Sequence, residues 1–219
     1  TATNACSTVT CTFTITVEDN EAPFVACGNN INTDSDLGQC GAVVNYTAPA
    51  YGDNCPGAVM VQTAGLPSGS LFPVGTTVNK FKVTDANGFV DSCSFSVIVA
   101  DDEAPVVVCP ANIVVNNDAG QCGAIVNYNV NATDNCATSL IFNYSNNPGT
   151  FFIAGTTTVT VTTTDVYGNE SQPCSFTITV LDNEDPVITC ATNISVNADA
   201  GQCGAVVTYN YPVATDNCI

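Results

Sequence analysis

Four cysteine positions recur along this chain with a step of 81 or 82 residues, and that register constrains the fold more than any other feature. Cys27, Cys109 and Cys190 hold the first position and Cys40, Cys122 and Cys203 the second; Cys55, Cys136 and Cys218 hold the third, and Cys11, Cys93 and Cys174 the fourth. A fixed period of this kind marks one structural unit copied in tandem. Each boundary is an acidic stretch ending in proline, at Pro23, Pro105 and Pro186, where the missing N–H interrupts a sheet ladder. The register divides the chain into the closing strands of a partial repeat at 1–19, complete repeats at 20–101 and 102–182, and the head of a further repeat at 183–219.

Within a repeat the side-chain period is two. Phe95, Val97 and Val99 alternate with Ser94, Ser96 and Ile98, and Phe176, Ile178 and Val180 repeat the pattern, as expected of half-buried strands. Phe13, Ile15 and Val17 alternate with threonines in the same way, so a strand is expected after Cys11 too. Further strands are expected at Phe24 to Cys27, Gln39 to Tyr46, Val59 to Thr63 and Val78 to Thr84, with counterparts one repeat on, including Gln202 to Tyr209. Asn30-Ile31 leads to a turn rich in Asp and Gly, and Asp85-Ala-Asn-Gly88 and Asp165-Val-Tyr-Gly-Asn169 read as turns into the closing strand. Six or seven short strands per repeat and no helical pattern predict an all-β chain of tandem antiparallel β-sandwiches, stabilised by disulfides.

Charge narrows the partners. The chain carries 20 acidic side chains against Lys80 and Lys82, with no histidine, for a net charge of −18. Nucleic acid needs clustered Lys and Arg and is excluded as a partner, and an anionic membrane surface is disfavoured for the same reason. No apolar run is long enough to span a membrane. Thirteen cysteines without histidine or a Cys-x-x-Cys pair point to disulfides, hence to a secreted or cell-surface protein. A chain opening at Thr1 with no signal peptide is expected to be a mature or partial segment.

The motifs carry a resemblance. Cys109-Pro-Ala-Asn-Ile113, Asp-Asn-Cys at 53–55, 134–136 and 216–218, Phe72-Pro-Val-Gly-Thr-Thr77, Thr84-Asp-Ala-Asn-Gly88 and Cys93-Ser-Phe-Ser-Val97 together resemble the hyalin repeat, across the whole chain. Gly28 and Ala191 depart from the pattern at the place of Pro110, and Cys6 stands where the other copies have Gly88 and Gly168. The resemblance implies an extracellular module with an immunoglobulin-like fold, used in adhesion or extracellular structure, and brings no catalytic residues.

Four cysteines per repeat can form two bridges, each worth roughly 2–4 kcal/mol. Cys27 with Cys93 and Cys40 with Cys55 is favoured, on the expectation that the first and last strands of such a sandwich run side by side; Cys27 with Cys40 and Cys55 with Cys93 stays open. Cys11 on one side, and Cys190, Cys203 and Cys218 on the other, leave one orphan in each fragment. Either a longer tandem array or the head of one subunit accepting the tail of the next would satisfy them. Further copies of the same module are therefore the expected partners, in one chain or head to tail.

Hard oxygen donors cluster at the hinges: Glu18, Asp19 and Glu21; Asp101, Asp102 and Glu103; Asp182, Glu184 and Asp185. They are candidate calcium ligands, joined by Asp53, Asp134 or Asp216 from a neighbouring loop, and Asp-Asn-Glu-x-Pro is similar to cadherin calcium linkers. A solvated, self-repelling hinge is the alternative. No other cofactor is expected. Asn45, Asn131, Asn143, Asn169 and Asn193 begin Asn-x-Ser/Thr sequons and are glycosylation candidates. Tyr46, Tyr128 and Tyr209 recur at one position and read as packing residues rather than a sugar platform. Without histidine there is no Ser-His or Cys-His pair, so the expected role is a non-enzymatic stalk, adhesin or filament. Loops that grip a glycan or protein under calcium control are the second reading.

Overall fold

A computed structural model describes residues 1–218, which form two compact units divided between Asp102 and Glu103. Among the described residues there is no helix. In the first unit a stub of hairpin, β1 (Ala2–Thr3) with β2 (Thr8–Val9), precedes the first repeat. That repeat is built from β3 (Phe24–Ala26), β4 (Ile31–Asp34), β5 (Gly41–Val44), β6 (Ala50–Gly52), β7 (Val59–Ala64), β8 (Ser70–Pro73), β9 (Gly75–Thr84) and β10 (Val90–Ala100).

The long strands β9 and β10 form the centre of a four-stranded sheet of order β4-β10-β9-β7. Two short antiparallel pairs, β3 with β6 and β5 with β8, cover its inner face. The alternation legible in the sequence decides which side is inner. Phe81 and Val83 of β9 and Phe95, Val97 and Val99 of β10 are buried, against Val25, Ala42, Val44 and Phe72 of the covering strands. Tyr46 caps this core with its ring edge on Phe95, centroids 5.0 Å apart, while its hydroxyl donates to the Leu66 carbonyl at 2.7 Å.

The second unit repeats the plan. Its strands are β11 (Val106–Val108), β12 (Ile113–Asn116), β13 (Gly123–Val126), β14 (Asn131–Thr133), β15 (Ile141–Tyr144), β16 (Thr150–Ile153), β17 (Gly155–Thr164) and β18 (Cys174–Leu181). The large sheet has the order β12-β18-β17-β15, and Val159, Val161, Phe176, Ile178 and Val180 line its core. Tyr128 packs its edge on Phe176, its hydroxyl bonded to the Asn146 carbonyl. A last short pair, β19 (Val187–Thr189) with β20 (Val213–Thr215), follows.

Three expectations need correction. A further strand stands between Asn-Ile and the Asp- and Gly-rich turn: β4 and β12 begin at Ile31 and Ile113 and add parallel to the closing strands, Ile31 opposite Val97 and Ile113 opposite Ile178, so the sandwich is not wholly antiparallel. No strand forms after Cys11, and Phe13, Ile15 and Val17 are 82%, 76% and 91% exposed. Gln202 to Tyr209 is likewise without strand, and Tyr209 is exposed beside Tyr211. The cause is the same in both: an alternating stretch becomes a strand only where a neighbour completes its ladder and a second layer covers its apolar face, and among the described residues neither stretch has one.

Candidate metal centre and inter-repeat latch

The loops at one end of the first repeat bring together three carboxylates from distant parts of the sequence. Asp19 comes from the stretch before β3, Asp53 from the turn after β6, and Asp85 from the turn between β9 and β10; each offers an oxygen within 4.8 Å of the others. Oxygens about 2.4 Å from one common calcium ion lie at most ~4.8 Å apart, so the spacing suits a single hard cation. Asp85 is 7% exposed. Its Oδ1 accepts the Asn87 and Phe89 N–H groups at 2.9 and 2.8 Å, which closes the turn, and its Oδ2 is buried with no partner. Both oxygens of Asp53 are also buried without a partner. Buried anionic oxygens without donors are costly and call for a compensating charge.

Asp85 was not among the expected ligands. The sequence marks it only as the start of a Asp-x-x-Gly turn, and nothing local says that Asp19 and Asp53 meet it. Of the other hinge acids in this unit, Glu18 is exposed and Glu21 accepts the Asn54 side-chain N–H at 3.1 Å instead of joining the trio.

Asp101, Asp134 and Asp165 hold the same three sequence positions one repeat later. Asp165 is 4% exposed and closes its turn in the same way, its Oδ1 accepting the Tyr167 and Asn169 N–H groups at 2.9 and 2.8 Å. Its Oδ2, however, accepts the Asn169 side-chain N–H at 2.9 Å. Burial alone would raise this carboxyl, but the hydrogen bonds from Asn169, Tyr167 and Gly168 outweigh it and hold Asp165 below the usual Asp range. Asp102, Asp182 and Asp185 are exposed, and Asp101 is buried. In the hinge after β18, Asp182 accepts the Glu184 N–H at 3.2 Å, and Glu184 turns toward the second repeat.

The cysteines do not pair wholly inside repeats. Cys27 bonds Cys93 and Cys109 bonds Cys174, joining a covering strand to the closing strand. The favoured second bridge, Cys40 with Cys55, does not form: Cys55 is a free, half-buried thiol, although Cys40 and Cys136 are both disulfide-bonded. The pairing of Cys55 with Cys93 is overturned as well. Cys122, in the second repeat, bonds Cys218, 96 residues on in the following segment. Two hydrogen bonds flank this bridge. The Glu184 carboxylate accepts the Gly120 N–H at 2.8 and 3.1 Å, and the Asn217 side chain donates to the Gln121 carbonyl at 2.9 Å. Gly120 has a φ of 70°, and the adjoining Gly123 packs where a Cβ would strike the Phe152 carbonyl, so the Gly-Gln-Cys-Gly sequence is what lets this tight turn face outward. Cys6, Cys11, Cys190 and Cys203 are free and exposed. Burial and the nearby carboxylates of Asp19, Asp53 and Asp85 push the Cys55 thiol upward.

Among the sequons, Asn45, Asn131, Asn143 and Asn193 are exposed. Asn169 is half-buried with its amide committed to Asp165. Among the described residues no helix is long and apolar enough to cross a membrane.

The HYR domain family model matches residues 18–99 and 100–180. Hyalin of Strongylocentrotus purpuratus is 37% identical over 216 residues, covering 94% of this chain and 18% of that protein. Hyalin of Lytechinus variegatus is 36% identical over 218 residues, covering 94% of this chain and 41% of that protein. The chain thus spans less than half the length of either relative. Among solved structures, human protocadherin-24 EC1-2 is similar with a TM-score of 0.37 and 17% identity, over 75% of this chain and 100% of that one.

Proposed function

The chain belongs to the HYR domain family, and on that premise we propose that it serves as an extracellular, non-enzymatic repeat array of the adhesion or structural type, a stalk or filament that bears tension. The observation that carries this reading is the Cys122–Cys218 bridge, which ties one repeat to the segment that follows it. A string of sandwiches held only by flexible hinges would stretch at each joint under load. A bridge beside the hinge, with Glu184 and Asn217 hydrogen-bonded on either side of it, lets tension bypass residues 123–217. Repeat proteins gain reach by copying a unit that touches mainly its neighbours, and a covalent tie makes that reach inextensible. Disulfides of this number form in oxidising compartments, in keeping with a secreted or surface-held protein. The test is single-molecule stretching of the chain held by its two ends. With disulfides intact the unfolded chain is expected to stop short, and reductant to lengthen it by about 3.4 Å for each residue released. Equal extension with and without reductant would overturn the reading.

A second reading, calcium held by the loops, is favoured by the partnerless Oδ2 of Asp85 inside the acidic trio. Asp19, Asp53 and Asp85 are the residues that would hold the ion, and the ion would supply the positive charge their buried oxygens lack. Backbone carbonyls and water would complete the six to eight oxygens calcium takes. In calorimetric titration with calcium chloride, Asp85→Asn is expected to weaken binding at least tenfold relative to the unaltered chain, with magnesium binding more weakly throughout. No heat from the unaltered chain, or equal binding by D85N, would sink it.

A further inference from the structure

The chain contains both halves of the Cys122–Cys218 latch a second time, unjoined. Glu21, Asn54 and Cys55 stand at the positions of Glu184, Asn217 and Cys218. In the engaged latch, Glu184 and Asn217 reach outward to the backbone of the Gly120-Gln121 turn. In the first repeat the two equivalent side chains bond each other instead, Asn54 donating to Glu21 at 3.1 Å, and the thiol beside them is free.

The other half lies near the far end. Asp199-Ala-Gly-Gln-Cys-Gly204 matches Asp118-Ala-Gly-Gln-Cys-Gly123 residue for residue. It also has the same shape, although no strand forms between β19 and β20. The Asp199 N–H donates to the Gly204 carbonyl at 2.8 Å, where Asp118 donates to Gly123 at 2.7 Å. Gln202 and Gln121 both donate back to their aspartate's carbonyl at 2.9 Å, and the φ of Gly201 is 76° against 70° at Gly120. Asp199 Oδ2 takes the Val206 N–H as Asp118 Oδ2 takes that of Ile125. The turn is therefore a self-contained plug, and it carries Cys203 exposed and free.

We propose that Glu21, Asn54 and Cys55 form the receiving half of a covalent latch, and that its occupant is the Asp-x-Gly-Gln-Cys-Gly turn of another hyalin-type repeat, such as the one that a second copy of this chain presents at 199–204. On docking, Glu21 exchanges the Asn54 amide for the incoming Gly201 N–H, and Asn54 exchanges the carboxylate for the incoming Gln202 carbonyl. Neither polar group loses a partner, so the exchange leaves no unmade hydrogen bond. The thiols of Cys55 and Cys203 then join by exchange with a disulfide oxidant of the glutathione class. A glutathione disulfide is attacked by one cysteine thiolate, releasing one glutathione; the second cysteine thiolate attacks the resulting mixed disulfide, releasing the other. Two protein thiols become one disulfide while one glutathione disulfide becomes two thiols.

This inference deepens the array reading and rests on it for the chemistry of the Cys122–Cys218 bridge. Its test is oxidation of the full chain in a glutathione redox buffer, followed by a non-reducing gel and peptide mapping by mass spectrometry. A ladder that collapses on reduction, with a peptide joining Cys55 to Cys203, is the expected result. Cys55→Ser and Cys203→Ser each remove the ladder, and Cys6→Ser keeps it. Glu21→Ala, which leaves every thiol in place, is expected to slow cross-linking about tenfold through loss of one charge-assisted hydrogen bond. A map that contains the Cys122–Cys218 peptide but shows Cys55 alkylated, or bonded to Cys6 or Cys11, overturns the latch and leaves the array reading intact. A map without the Cys122–Cys218 peptide overturns the array reading itself.

Discussion

The turn before the closing strand is built twice around an aspartate at the same position, and of the side chains that differ between the two copies one decides the fate of its second oxygen. In the first repeat Asp85 gives one oxygen to the Asn87 and Phe89 N–H groups and keeps the other buried and open. In the second, Asp165 closes the turn identically, and Asn169 stands where the first repeat has Phe89. That amide reaches the second oxygen, so the carboxylate is satisfied from within its own turn. The backbone task is common to both repeats and fixes the aspartate. The spare oxygen is free to be assigned, to a side chain in one repeat and to whatever cation its loops attract in the other. A repeat array can in this way vary its electrostatics from unit to unit without touching the core that holds each unit together.

The largest expected effect comes from breaking the self-satisfied copy. Asn169→Ala removes a hydrogen bond to an ionised, buried carboxylate and is expected to destabilise the second repeat by about 1.5–3 kcal/mol at neutral pH. The pH dependence follows from the direction of the Asp165 shift. A carboxyl held below its unfolded value contributes stability that is fully present above the ordinary carboxylate range and is lost as the pH falls through the folded pKa. The gap between the unaltered chain and N169A is therefore expected to be full at pH 7 and to shrink as the solution is acidified below the usual Asp range. Hydrogen exchange read separately on peptides from β17 and β18 and from β9 and β10 measures it, with the first repeat as an internal control. A gap that stays constant down to low pH would mean that Asn169 acts through packing and not through the carboxylate.

The core was open to reading because it is local. Phe95, Val97 and Val99 announce their buried face by alternation alone, and β10 forms where the pattern places it. Phe13, Ile15 and Val17 carry the same pattern and stay exposed, since alternation describes one strand and burial requires its neighbours. The strand at Ile31–Asp34 was missed because four residues with no hairpin partner leave no local signal; its partner is the closing strand, more than sixty residues away. The acidic trio was legible only in part, for a related reason: Asp19 and Asp53 were candidate ligands and Asp85 was not. The hinge acids were conspicuous as a cluster in sequence, yet the fold takes only Asp19 from that cluster and completes the set with Asp53 and Asp85 from two separate turns. The cysteine register was legible from the start, but four cysteines per repeat suggested closure within the repeat. Nothing in the spacing distinguishes Cys122 bonding within its repeat from Cys122 bonding 96 residues on, because the period makes both choices recur alike.

The smallest and sharpest test converts one copy into the other. Phe89 is 42% exposed, so replacing it with asparagine sacrifices little core packing. If the identity of this one residue sets the fate of the spare oxygen, Phe89→Asn places an amide on Asp85 Oδ2 as Asn169 does on Asp165 Oδ2. Without calcium, the variant is then expected to protect the β9 and β10 amides by up to about 1 kcal/mol more than the unaltered chain, the net yield of one added hydrogen bond. With calcium, it is expected to bind more weakly, because the ion must now displace an internal donor. Both signs follow from a single bond, so they must change together. Protection gained without loss of calcium affinity would show that the ion, where it binds, does not use Asp85 Oδ2. Affinity lost without gain in protection would show that Phe89 itself shapes the loop.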